Sequence, residues 1–444
     1  MIAAARRPAP GGFAATLAAW RTQPSLPVGA LLFVWALAPG FRRVFAWRTS
    51  ISSISLISAL PLVAMLPLAY ALIAGGRLKD LDRRLLLPAW LWFGGFIYAY
   101  AVGIAAGNLV AATYTFTEFA LPALVGLWVA TYAEPASAFY DRIATVLLAL
   151  AAVLGVYAFY QFAVPPPWDL AWLERTKLVS IGIPAPFQFR PFSTLNSPGI
   201  FADFLTAAIL FNLPRVRGAN PLRVLQLVIV TATLALTMVR SDWIACFAGM
   251  IVYIALSPGK VKNLSIVGTL VVVVTVFAAN APALLGSGIA GNDLQHRFAT
   301  FTDLETDSSY RDRQQYFGAA LTTAIDQPTG AGLGVLGTAA KLGSAGKTVD
   351  FDNGYIARFT EMGYFGTVCY LATLFVTLRL AGGRWRRATR QGLREDAAIA
   401  AGCVAVQVAF ALLDISSDHH NALGGLFYWL SVTPLYARPL VRAS

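Results

Sequence analysis

The chain has 444 residues, 57% of them apolar and only 13% charged, with 34 Lys and Arg against 22 Asp and Glu for a net charge of +12. Soluble domains carry about 25% charged residues, so this composition excludes a protein that keeps its whole surface in water. The positive balance does not indicate nucleic acid: no basic soluble segment carries it, and much of it falls in loops between apolar runs.

Apolar runs of about 20 residues recur from Leu26 onward, the length at which a helix crosses a bilayer with its own backbone hydrogen bonds satisfied. Spans are expected near 26–41, 51–76, 85–106, 109–132, 143–164, 192–213, 222–239, 243–258, 263–283, 354–378, 397–414 and 420–437. The expected fold is therefore all-α, one polytopic bundle of about 12 transmembrane helices occupying 1–444. Arg6, Arg7 and Arg21 lie scattered among Pro, Gly and Ala with no compact cleavable signal, so the first span is expected to serve as the targeting signal. Only Arg240, Ser241 and Asp242 separate 222–239 from 243–258, which demands a tight turn. Cys246, Cys369 and Cys403 sit inside apolar runs and read as small core residues.

With the N-terminus inside, 21 Lys and Arg fall on the inner side and 12 on the outer, which favours both termini in the cytoplasm. Arg42, Arg43 and Arg48 run against that rule. Two long loops then face outward, Pro165 to Arg190 and 284–353. The second, between spans nine and ten, holds aromatics, an alternating charged stretch from His296 to Arg313 and a helix-like run from Tyr310 to Ile325. A folded outer subdomain is expected there, since connectors of that length are seldom idle.

Charges near a bilayer need a reason. Arg190, Arg240, Arg311 and Arg313 all fall on the outer side, and a guanidinium fork grips phosphate oxygens in pairs. An anionic ligand such as a lipid pyrophosphate fits them; so does interfacial snorkelling, or a pair such as Arg240 with Asp242. Arg358 and Glu361, three apart on one helix face, are expected to pair. Glu118 and Asp203 either line a cavity or meet an arginine. The turn holding Asp414, Asp418, His419, His420 and Asn421 carries two of the three histidines. It reads either as a solvated turn or as a base, His419 or His420, oriented by Asp414 or Asp418. Asp350 and Asp352 do not make a metal site, no His/Asp cluster has ligand spacing, and neither metal nor cofactor is expected.

Four segments stand in order: Arg190-Pro-Phe-Ser-Thr-Leu-Asn196-Ser-Pro-Gly, Arg240-Ser-Asp-Trp243, Pro328-Thr-Gly-Ala-Gly-Leu-Gly334, and Asp352-Asn353-Gly-Tyr355 leading to Glu361-Met-Gly-Tyr-Phe-Gly366. In this order and spacing, over roughly 190–370, the chain resembles the O-antigen ligase and Wzy-type polysaccharide polymerase superfamily.

The resemblance implies transfer of a glycan from an undecaprenyl-pyrophosphate carrier to an acceptor hydroxyl at the periplasmic face of the bacterial inner membrane. It implies that Arg190 and Arg240 hold the pyrophosphate, with help from Arg311 or Arg313. It also implies a histidine before the Asn that opens the helix after the large loop, and here Asp352 stands before Asn353 instead. An aspartate can act as general base, although nearby arginines lower its pKa; it can equally bind sugar hydroxyls or cap the following helix. The departure favours a polymerase of a surface polysaccharide or exopolysaccharide over ligation to lipid A-core. Asn353, Tyr355 and Asn196 are candidate acceptor or sugar contacts, and Trp168 and Trp172 candidate stacking rings. The implied partners are the lipid-linked donor, a lipid-linked acceptor, membrane lipids and a chain-length regulator. A glycan transporter is the rival from another class, but no half-to-half repeat of the transporter kind is evident.

Overall fold

The computed structural model describes residues 20, 22–49, 56–132, 134–176, 181–216, 220–257, 318, 322, 325–342 and 353–437. Their long helices are α1 (Ser25–Thr49), α2 (Leu56–Ile73), α3 (Arg83–Ala105), α4 (Leu109–Ala130), α5 (Ala136–Ala163) and α6 (Pro167–Thr176). They continue with α7 (Pro198–Asn212), α8 (Pro221–Leu236), α9 (Arg240–Leu256), α10 (Gly354–Arg390), α11 (Arg394–Leu413) and α12 (Ala422–Leu430). Among the described residues the chain is all-helical apart from an isolated bridge between Gly182 and Phe189.

Helix starts follow local chemistry. Ser197 accepts the Ile200 N–H ahead of Pro198, Asn220 accepts the Arg223 N–H ahead of Pro221, and Asn353 accepts the Ile356 N–H. In each case a short polar side chain takes an orphan donor, and in two of them proline presets the first helical φ. The cap of α10 is thus Asn353; Asp352, the other candidate cap, lies outside the described residues.

Among the described residues six helices are long and apolar enough to cross a membrane: α1, α3, α4, α5, α10 and α11; α2 and α8 are shorter apolar helices. The expected span 263–283 lies outside the described residues. The run 420–437, expected as a span, is the nine-residue α12 and a 3-10 turn, Thr433–Tyr436. Nine residues rise about 14 Å, under half of the hydrocarbon core. Every residue from Leu423 to Leu430 is buried, so α12 is a core helix packed on α4. Apolar residues all round a helix mark burial in protein as well as in lipid, and this segment takes the first option.

α7 fills the bundle centre, buried from Phe201 to Asn212 against α5, α8, α9 and α11. α10 is broken at Gly363, where φ is 58° and ψ −164°. The Gly-rich segment 328–334 enters that break. Ala331 and Gly332 donate to the carbonyls of Thr360 and Glu361, Tyr364 donates to the Pro328 carbonyl, and Leu333 donates to the Ala99 carbonyl of α3. The segment therefore supplies the donors that a continuous helix would have supplied. It fits because Gly332 lacks a side chain: a Cβ there, where φ is +87°, would lie 2.3 Å from the Gly103 nitrogen.

Gly332→Ala combines this backbone clash with left-handed strain. It is expected to destabilise the bundle by about 2–4 kcal/mol, read as a fall in detergent-solubilised melting temperature. A melting temperature equal to wild type would mean that the segment does not seat in the break.

Candidate functional site

Helix polarity gathers the four motifs at one end of the bundle. There lie the C-terminal ends of α1, α5, α8 and α11 and the N-terminal ends of α7, α9, α10 and α12. The segment 181–197 covers this end, and a buried cation fixes it. Arg43 of α1 is only 2% exposed, which leaves its charge no solvent to relax in. Its Nε donates to Asp169 Oδ1 at 2.7 Å, and its terminal nitrogens donate to the carbonyls of Ser193, Thr194 and Leu195. Asp169 Oδ2 in turn accepts from the Tyr157 hydroxyl at 2.6 Å and Gln161 Nε2 at 2.8 Å. Gln161 Oε1 accepts the N–H groups of Phe192 and Ser193 at 3.1 and 2.9 Å. This clamp answers the topological anomaly at Arg43, whose charge is neutralised inside the fold.

The clamped segment places Arg190. Its Nε donates to the Thr237 carbonyl at 3.0 Å, and Thr237 caps α8 in the tight turn that precedes Arg240. Met238 makes that turn with a φ of 56°, and α9 begins at Arg240 itself. Asp242 faces inward: it is fully buried, hydrogen-bonded to Thr206 at 3.4 Å and to Asp203 of α7, and close to His419. Asn196 sits on the same segment as Arg190, its Oδ1 accepting from Arg42.

The α11–α12 turn is built around Asp414. Its Oδ2 accepts from the Tyr370 hydroxyl and lies 2.8 Å from His420 Nδ1; its Oδ1 accepts the His419 N–H at 2.9 Å; its carbonyl accepts the Gly354 N–H at 2.7 Å. His420 is fully buried among the Tyr370, Phe410 and Tyr428 rings, the last at 4.5 Å. His419 Nδ1 lies 2.9 Å from Asp203. Asp418 accepts from Arg358 at 2.8 Å and from Asn421 at 3.2 Å, so it orients neither histidine. Arg358 also pairs with Glu361 at 2.7 Å, as their spacing predicts. Glu361 carries the chain of contacts onward by accepting the Gly334 N–H at 3.0 Å.

Of the expected site residues, Arg190 and the turn that opens with Arg240 come together. His419, His420, Asn353 and Tyr355 gather at the α10–α11–α12 junction, where the Tyr355 hydroxyl donates to the Ala411 carbonyl at 2.6 Å. An open groove of about 460 Å³ runs from Asn353 and Tyr355 along α10 to Thr367 and Val368. Arg311, Arg313 and Asp352 lie outside the described residues. Asp203 meets a histidine, not an arginine. No group of three His, Cys, Asp or Glu side chains among the described residues is arranged to hold a metal ion.

Residues 225–371 match the family model Wzy_C, O-Antigen ligase. The superfamily resemblance is thereby borne out over that stretch, and with it glycosyl transfer of the ligase or polymerase type by a membrane protein. The matched segment opens within α8, takes in the Arg240 turn and the Gly-rich segment, and closes on α10 beyond the Gly363 break. Arg190, Asp203 and the histidine turn lie outside its bounds and are joined to it by the contacts above. No curated protein matches the chain.

The orientation of His420 by Asp414 matches the expected pairing within that turn, whereas the Arg43 clamp, the Tyr370 contact to Asp414 and the Asp203–His419 pair had no counterpart in the sequence reading. The available signal was the rarity of charge in apolar runs: Asp169, Asp203 and Asp414 are isolated acids that need partners.

His419 has a measurable signature. Burial favours its neutral form, but Asp203, with Asp242 and Asp414, outweighs burial and raises its pKa to about 9. The stability this pair contributes is fully present below the ordinary histidine pKa of about 6.5 and is lost as pH rises through 9. The melting-temperature difference between wild type and His419→Gln is therefore expected to shrink between about pH 7 and 10. A difference that stays constant across that range would mean a neutral His419.

Proposed function

We propose that the chain polymerises undecaprenyl-pyrophosphate-linked oligosaccharide repeat units into a surface polysaccharide or exopolysaccharide. The four-motif end of the bundle faces the periplasm in this reading, and both termini are cytoplasmic. The observation that carries it is the hydrogen bond from Arg190 to the Thr237 carbonyl, which seats one motif's arginine on the turn that opens the next motif with Arg240. Two arginines brought to one turn, one bonded to it and one directly after it, suit a diphosphate.

In the transfer, an acceptor hydroxyl attacks the anomeric carbon of the donor glycan. The bond from that carbon to the pyrophosphate oxygen breaks, and undecaprenyl pyrophosphate leaves with the electron pair. Arg190 and Arg240, with Arg311 and Arg313, stabilise the charge that gathers on the leaving oxygens. The hydroxyl proton passes to Asp352 or to a histidine. The chain directly after Asp352 supports this: a Cβ on Gly354 would lie 3.2 Å from the Asp414 carboxyl carbon, so the start of α10 presses on the histidine turn. His420 shares one feature of a base, Nδ1 on a carboxylate, and its buried Nε2 has no hydrogen-bond partner among the described residues, so it would act only once the turn opens to the acceptor. His419, raised toward its charged form, serves better as a fixed cation. Asn353, Tyr355 and Asn196 are assigned to acceptor or sugar contacts.

A ligase that delivers the same donor to lipid A-core is the second reading, and Asp352 in the histidine position favours polymerisation over it. The test uses purified protein in liposomes with lipid-pyrophosphate repeat units. Longer glycan together with released carrier pyrophosphate is the expected result. Unextended glycan on the opposite side of the vesicle would make the protein a transporter. Asp352→Asn is expected to lower polymer yield more than tenfold. If His419→Ala and His420→Ala both give wild-type yield, neither histidine is the base.

A further inference from the structure

Arg43 has its carboxylate, but among the described residues the arginine beside it has none. Several other arginines meet an acid: Arg77 with Asp80, Arg142 with Glu134, Arg215 with Asp141, Arg358 with Glu361 and Asp418. Among the described residues Arg42 meets only neutral groups. Its NH1 donates to the Ser58 hydroxyl and its NH2 to Asn196 Oδ1, both at 2.9 Å, and its guanidinium lies 4.5 Å from the centre of the Trp172 ring. Ring and side-chain oxygens orient a cation without neutralising it, and the Arg43 charge next door repels it. This is a costly residue to hold rigid with no counter-charge.

Its remaining donors are free to act. A guanidinium has five N–H groups, and two are used. The Nε–H and one N–H on each terminal nitrogen have no acceptor among the described residues, and Nε is not sealed in the interior. The group is also tied to the site, because Asn196 belongs to the same clamped segment as Arg190.

We propose that Arg42 is a further anion-binding residue, held by Asn196, Ser58 and Trp172 to receive a phosphate or carboxylate oxygen of the lipid-linked substrate. The assignment rests on the polymerase reading for its substrate and on Arg42's own geometry for its role. It also explains a basic residue at the end of α1 that charge counting leaves anomalous.

The probe is undecaprenyl pyrophosphate without sugar, bound to the full chain in nanodiscs, followed by turnover of repeat units with and without an acidic sugar. Arg42→Gln is expected to weaken carrier binding about tenfold, and Arg42→Lys less, if the anion is the pyrophosphate. If carrier binding holds but KM rises about tenfold only for repeat units bearing a carboxylate, the anion is on the sugar and the assignment stands. Should Arg42→Gln fail to fold, Asn196→Ala keeps the charge and releases its anchor, with a weakening of roughly threefold expected on the same readouts. Wild-type binding and KM in the Arg42 and Asn196 variants, with Arg190→Gln impaired, would overturn the assignment and leave the polymerase reading intact. Wild-type behaviour of Arg190→Gln as well would overturn both.

Discussion

Arg190→Ala and Arg240→Ala are each expected to lower glycan transfer about 100-fold or more, with a melting temperature close to wild type. A donor aimed at charge that develops only in the transition state is worth that much, and loss of a pyrophosphate ligand affects the leaving group directly. Arg190 donates to the Thr237 carbonyl and is half-buried, outside the buried core, so the loss of rate is expected to outweigh any loss of packing. The discriminating measurement is single-turnover release of carrier pyrophosphate by purified variants. Normal turnover in both would sink the pyrophosphate assignment. Lysine at either position is expected to restore only part of the rate, since an ammonium supplies charge without the planar fork.

Arg43→Ala is expected to cost about 3–5 kcal/mol of stability, the usual result of leaving one buried charge without its partner. Here Asp169 is the abandoned charge, and three backbone carbonyls of 193–195 lose their donor together. Unfolding of the detergent-solubilised protein measures the loss. The double variant Arg43→Met with Asp169→Asn is expected to recover a good part of it, because no charge is then stranded. If Arg43→Ala melts like wild type, the clamp contributes nothing to the fold.

Much of the architecture is legible from periodicity alone. The helices α3, α4, α5, α10 and α11 fall on apolar runs, and the tight turn at Arg240 follows from the three residues available for it. α12 is where that reading fails, because Leu423 to Leu430 carry the apolar pattern of a span in a helix under half of a span's length. The site was legible in part. Motif order placed Arg190 and Arg240 together, and the histidine turn drew notice by composition. Pairings across the bundle were not legible: Asp203 to His419 joins residues 216 positions apart, and Arg43 to Asp169 joins residues 126 apart. Nothing local marks such partners. Only the expense of an isolated charge in an apolar run says that a partner exists.

The segment lodged in the Gly363 break sets an order for biosynthesis. Leu333 bonds to Ala99 of α3, while Ala331 and Gly332 bond to the first turns of α10. The slot beside Gly103 and Ala111 is therefore made by helices synthesised long before the segment that fills it. Its second wall arrives only with α10. The helices before it can form first, but the wall at the four-motif end closes only in a late step, when chain from both sides of residues 343–352 has been made.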